Sequence, residues 1–172
     1  WDAGRPVEID PVTLGYLGDV GHRSQWLELD PKAPVLPMVL STAHPVIDPE
    51  RDVMWTVNSF FGELSVIRWG GEGPIERWPI DGAQVPQSVH TITQTRDWLV
   101  IADCAYKVEA GGRRTEPNNP TGPVHLVSKA ALESTAPGQP VPCHTIDIGP
   151  ENNHYYACFD DTDGVTVLFA HT

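Results

Sequence analysis

Apolar and polar positions alternate with a period of two in short runs along this chain, and Gly, Pro, Asn or Asp closes nearly every run. That pattern predicts half-buried β-strands joined by tight turns. Residues 4–11 alternate and turn at Asp10-Pro11, with a second strand near 14–20. Residues 53–58 and 64–69 are rich in β-branched and aromatic side chains, and Gly70-Gly71-Glu72-Gly73-Pro74 turns the chain into a strand over 75–79. A strand over 88–93, a four-residue hairpin at Gln94-Thr95-Arg96-Asp97 and an apolar run over 98–103 come next, the last reading as an inner strand. Further strands are predicted at 124–127, 144–148, 154–159 and 165–170, with a turn over 160–164 joining the last pair. Ser128 is placed to cap one helical turn over 129–133. Residues 28–37 read as a proline-studded loop and 107–122 as a long polar surface loop. Turn signals recur roughly every 8–12 residues, so the expected fold is all-β, a sandwich, barrel or propeller, forming one domain over 1–172. No strict internal repeat is present.

Composition agrees. The chain has 172 residues, 17 Pro, 15 Gly and 40% hydrophobic content, enough for one ordinary core between many turns. A net charge of −12 repels a phosphate backbone at long range, which argues against a nucleic-acid partner. Cys104, Cys143 and Cys158 are odd in number and match no CxxC pattern, so they read as reduced thiols of a cytoplasmic protein. No run reaches the roughly 18 apolar residues of a membrane span. The first residues do not form a signal peptide, and the missing initial Met suggests a piece of a longer protein.

The candidate chemistry centres on Leu40-Ser41-Thr42-Ala43-His44-Pro45-Val46-Ile47-Asp48-Pro49. Here an apolar strand delivers His44 into a turn stiffened by two prolines. A histidine beside a proline is more often a hydrogen-bonded residue at a strand end than a metal ligand. His90 and His154 share its setting near strand ends, 46 and 64 residues further on in turn. In a propeller the innermost strand of each blade faces a common axis, so one histidine per blade can converge on one ion; imidazole suits iron, copper or zinc. The spacing alone leaves the bland reading open. His22 and His125 read as surface or strand-end residues, His144 as a hydrogen-bonding neighbour of Cys143, and the aromatic residues mostly as core.

The motifs Asp2-Ala3-Gly4-Arg5-Pro6, Ile9-Asp10-Pro11-Val12-Thr13-Leu14, Thr42-Ala43-His44-Pro45 with Asp48-Pro49, Ser88-Val89-His90 with Thr95-Arg96-Asp97-Trp98-Leu99-Val100, and His154 with Phe159-Asp160 add a resemblance. The chain resembles the carotenoid cleavage oxygenases, which include apocarotenoid oxygenases, lignostilbene dioxygenases and the retinal-pigment-epithelium isomerase. The resemblance implies a seven-bladed β-propeller with a non-haem Fe(II) held by four axial histidines. His44, His90 and His154 would be the first three ligands, and the fourth would lie beyond Thr172. The chain would be about the middle third of such a protein. Two positions depart from the family pattern, at His90-Thr91-Ile92 and at His154-Tyr155-Tyr156-Ala157-Cys158. A carboxylate that orients a ligand histidine would fall near Asp2.

The implied reaction adds O₂ across a conjugated C=C bond of a carotenoid, apocarotenoid or stilbene and yields two carbonyl products. A lipophilic substrate implies transient contact with a membrane from which it is extracted. Without the remaining blades this chain alone is expected to be inactive. Two other classes compete: a calcium-dependent propeller hydrolase of the lactonase type, with Asn58, Asp103, Asp147 and Glu151 as oxygen ligands, and a non-catalytic propeller that binds a partner.

Overall fold

The structure is a computed structural model that describes residues 2–26, 39–60, 63–85, 88–104, 109–110, 113–114, 121–149 and 153–171, with side chains left undescribed at 2–3, 109–110, 113–114, 153–155 and 171. In chain order the strands begin with β1 (Asp2–Ala3), β2 (Val7–Ile9), β3 (Tyr16–Asp19), β4 (Leu40–Ser41), β5 (Val46–Asp48), β6 (Val53–Phe60), β7 (Glu63–Trp69) and β8 (Glu76–Asp81). They continue with β9 (Ile92–Gln94), β10 (Trp98–Ala102), β11 (Glu109–Ala110), β12 (Arg113–Arg114) and β13 (Pro123–Ser128). A short helix, α1 (Lys129–Ser134), leads to β14 (Val141–Pro142), β15 (His144–Asp147), β16 (Asn153–Asp161) and β17 (Gly164–His171). Among the described residues no helix is long and apolar enough to cross a membrane.

These strands form stacked layers. A seven-stranded sheet runs β1-β4-β6-β7-β8-β14, with β5 also paired to β6, and a four-stranded sheet runs β15-β13-β10-β9. The pairs β2-β3, β11-β12 and β16-β17 are separate hairpins. Successive side chains of a strand point to opposite faces, and each central strand feeds two cores on that account. On β7, Leu64 and Val66 enter one core, while Ile67 joins Val20, Trp26, Val39 and Ile75 on the other side. On β10, Leu99 and Ile101 meet the seven-stranded sheet, whereas Val100 and Ala102 pack with Val124 and Tyr156 under the β16-β17 hairpin. Trp55 and Trp78 fill the core between the two large sheets, their ring centres 6.4 Å apart.

A buried polar group also joins the sheets. Lys129 opens α1 with its side chain 1% exposed, and its Nζ donates to Asp48 Oδ2 at 2.7 Å, Gln94 Oε1 at 2.9 Å and the Thr95 carbonyl at 2.8 Å. Burial pushes the Asp48 carboxyl up, but the hydrogen bond and charge of Lys129, with Trp55 Nε1 and the Arg51 backbone N–H, outweigh it. The net effect holds Asp48 below the ordinary carboxylate value.

Three readings of the sequence need correction. The strand expected over 88–93 begins only at Ile92, because the His90 carbonyl accepts Thr42 Oγ1 and the Ala43 and His44 N–H groups instead of entering a ladder. The polar stretch 107–122 contains the paired β11 and β12, while 28–37 lies outside the described residues. His125 is buried in the middle of β13, its Nε2 2.9 Å from the Gln84 carbonyl and its Nδ1 2.9 Å from Thr145 Oγ1. A carbonyl only accepts, so Nε2 carries the proton and Nδ1 receives the threonine hydroxyl. The cap was read correctly: Ser128 Oγ accepts the Ala131 N–H.

Lys129→Met is expected to destabilise the protein by about 3–5 kcal/mol in denaturant titrations, because it leaves the Asp48 carboxylate buried and short of its cation. The depressed Asp48 value contributes stability that is present above the unfolded aspartate value of about 3.9 and is lost as pH falls through the lower folded value. This acid-side slope should be smaller in Asp48→Asn, Lys129→Met than in the parent.

Candidate metal centre

His44 lies between β4 and β5, and His90 lies just before β9, so the two belong to different large sheets. Their backbones run side by side: His44 and Thr91 form a parallel bridge. The His90 carbonyl accepts Thr42 Oγ1 at 2.5 Å, the Ala43 N–H at 3.0 Å and the His44 N–H at 3.3 Å, and the Ile92 N–H reaches the His44 carbonyl at 3.5 Å. Pro45 fixes the chain direction immediately after His44. These restraints bring the two imidazoles edge to face, with ring centres 4.9 Å apart and planes at 74°. His44 is exposed, and His90 is half-buried with its Nε2 shielded from solvent.

The backbone of His154 stands two residues before Tyr156. It lies on β16, where the register against β17 shifts between Asn153 and Tyr155, the mark of an irregularity that re-aims a strand. Two residues on, Tyr156 is fully buried on the face of the four-stranded sheet. Its hydroxyl donates toward the Thr91 carbonyl at 2.6 Å and the Val100 carbonyl at 3.2 Å, and accepts the Ala102 N–H at 2.8 Å. Burial raises its pKa well above the usual phenol value, so the proton stays on the oxygen. Tyr156 thus ties β16 to the residue that follows His90. The side chains of His154 and Asp2 lie outside the described residues; Asp2 pairs through its backbone with Ser41, three positions before His44.

Among the described residues, the oxygen ligands considered for calcium are each engaged by a different backbone partner. Asn58 Nδ2 donates to the Leu40 carbonyl, Asp103 Oδ1 accepts the Ser88 N–H, and Asp147 Oδ1 accepts the Gly122 and Gly149 N–H groups. Glu151 lies outside the described residues. Among the described residues no group of three or more His, Cys, Asp or Glu side chains is placed to hold a metal.

A family model described as retinal pigment epithelial membrane protein matches residues 1–168. The chain belongs to that family, the carotenoid oxygenases. Among solved structures, a point mutant of the Synechocystis apocarotenoid oxygenase ACO is similar, with a TM-score of 0.51 and 13% identity. The match covers 97% of this chain and 35% of that one, so the chain spans about a third of that protein's length. At this identity the likeness concerns fold, and it makes the stacked antiparallel sheets part of a β-propeller. No curated protein matches the chain. In a propeller, sheets packed face to face are successive blades; His44 and His90 lie at the ends of segments of two of these layers, and the backbone of His154 belongs to a third.

The anchoring role of Tyr156 was not legible beforehand, since a tyrosine in an apolar strand reads as core. Tyr156→Phe is expected to destabilise the protein by about 1–3 kcal/mol in equilibrium unfolding, because it strands the buried Ala102 N–H and removes a donor from Thr91. An unchanged midpoint would refute the anchor.

Proposed function

We propose that this chain forms part of a carotenoid-cleaving oxygenase in which His44, His90 and His154 hold an Fe(II) ion. One observation carries the reading: two imidazoles distant in sequence meet with ring centres 4.9 Å apart on cross-linked backbones. Two imidazoles bound cis to one ion, at about 2.0–2.1 Å from nitrogen to metal, hold their ring centres roughly 4.5–5 Å apart, so this pair fits a shared ion. Their chemistry fits as well, because imidazole suits iron and a ligand set without carboxylates leaves the cation its full charge. His154 completes the set available in this chain, and the remaining coordination belongs to the longer protein.

An Fe(II) ion held there would activate O₂ for addition across a conjugated C=C bond, whose own electrons reduce the O₂ as it breaks to leave one oxygen atom in each of two carbonyl groups. The residues of this chain bind and orient. His44 and His90 present nitrogen donors, Thr42 fixes the His90 backbone, and Tyr156 holds β16 against Thr91. The substrate class in this reading is an apolar polyene or stilbene, taken up through transient membrane contact. With a net charge of −12, nucleic acid is not a partner in this reading.

The test is the metal content of the full-length protein that carries this chain, beside its His44→Ala and His90→Ala variants. The expected outcome is about one iron per chain in the parent and loss of most of it in each variant, with O₂ uptake on carotenoid or stilbene substrates lost in parallel. Iron retained in both variants, or calcium in its place, would refute the reading.

A further inference from the structure

The two histidine-bearing segments are joined at both ends. At one end lie the three hydrogen bonds to the His90 carbonyl. At the other lies Lys129, which touches each segment four residues beyond its histidine: Asp48 follows His44, and Gln94 follows His90. The Thr95 carbonyl takes the third ammonium proton, and Gln94 Nε2 donates to the Ile47 carbonyl at 2.6 Å, closing the ring of contacts. Asp48 is 4% exposed, so this junction is dry. Lys129 itself comes from a third place in the sequence, where α1 begins, and its own N–H is fixed on the Asp97 carbonyl at 3.0 Å.

A parallel contact as short as the one between His44 and Thr91 is weakly specified by itself, since a single bridge tolerates sliding along the strand direction. A buried ammonium group with three acceptors does not tolerate it. Sliding the His44 segment by one residue would remove Asp48 from Nζ and leave a buried charge without its partner, and sliding the His90 segment would remove Gln94 and leave an ammonium proton without an acceptor. We propose that Lys129 is the positioning residue of the metal centre, setting the register of the His44 segment against the His90 segment and so the separation of the two imidazoles. The proposal rests on the iron reading for its purpose but not for its geometry. Arg51 belongs to the periphery of the same network, bridging Asp48, Glu133 and the Arg96 carbonyl at the surface. Through the Arg96 carbonyl it also meets the end of the His90 segment, but from the exposed side of the junction.

The test uses the full-length protein carrying this chain. Lys129→Met alone strands Asp48, so the main variant removes both charges, Asp48→Asn with Lys129→Met; Gln94→Leu is the second variant, and Arg51→Met is the control. Amide hydrogen exchange is followed in the iron-free protein. In the first two variants the amides of Ala43, His44 and Ile92 are expected to exchange at least about tenfold faster, while Val66 and Leu99 stay as protected as in the parent. Arg51→Met, which removes only the exposed bridge to Arg96, should change all five by less than about twofold. Fe(II) affinity, measured separately, should weaken about 10–100-fold in the first two variants. Unchanged exchange at Ala43, His44 and Ile92, or a uniform rise that includes Val66 and Leu99, would overturn the proposal, the latter by showing a merely structural role. If the double variant does not fold, Gln94→Leu decides alone. If the parent takes up no iron, the iron reading falls, while the exchange pattern still decides whether Lys129 sets the register.

Discussion

A buried ammonium group must find acceptors, and in this chain that requirement fixes how the two large sheets meet. Lys129 satisfies all three of its protons on Asp48, Gln94 and Thr95, residues that close β5 and β9. The apolar core between the sheets, built around Trp55, Trp78, Leu99 and Ile101, supplies the attraction but is indifferent to small sliding motions. The polar junction supplies the register. Attraction without direction and direction without much net stabilisation are complementary, which is consistent with retaining a costly buried ion pair.

The candidate metal centre inherits this arrangement. His44 and His90 are at the ends of segments from neighbouring sheets, so the geometry of the pair is the geometry of the interface between two propeller layers. Tyr156 extends the same logic to a third layer, because its hydroxyl bonds to Thr91 and to both backbone partners on β10. A site assembled from one residue per blade depends on the stacking of blades more than on any local motif. That dependence lets residues far apart in sequence, such as His44 and His90, meet with their ring centres 4.9 Å apart.

Much of the fold was legible in the sequence because burial on alternate faces leaves a direct trace. The runs that became β6, β7, β10 and the β16-β17 hairpin are β-branched, aromatic or alternating, and their turns carry Gly, Asp or Asn. The segment before β9 was misread for a specific reason: Ser88-Val89-His90 has strand composition, but its carbonyls are engaged by Cys104, Thr42, Ala43 and His44 rather than by a ladder. His125 was misread because burial of a histidine in a strand depends on tertiary acceptors, here Gln84 and Thr145, that no local pattern announces. Lys129 is the same case in stronger form, since a lysine after a helix cap normally extends into solvent. His44 stood out because two prolines, Pro45 and Pro49, stiffen the turn that follows it, and that signal is local.

The central claim is that imidazoles from separate layers of this stack share one iron ion. Iron K-edge X-ray absorption of the full-length protein loaded with Fe(II) tests it most directly. The expected spectrum has a first shell of nitrogen or oxygen atoms at about 2.0–2.2 Å and the outer-shell scattering of several imidazole rings, which weakens in His44→Ala and in His90→Ala. An iron shell without imidazole scattering, or one that neither substitution alters, would contradict the account.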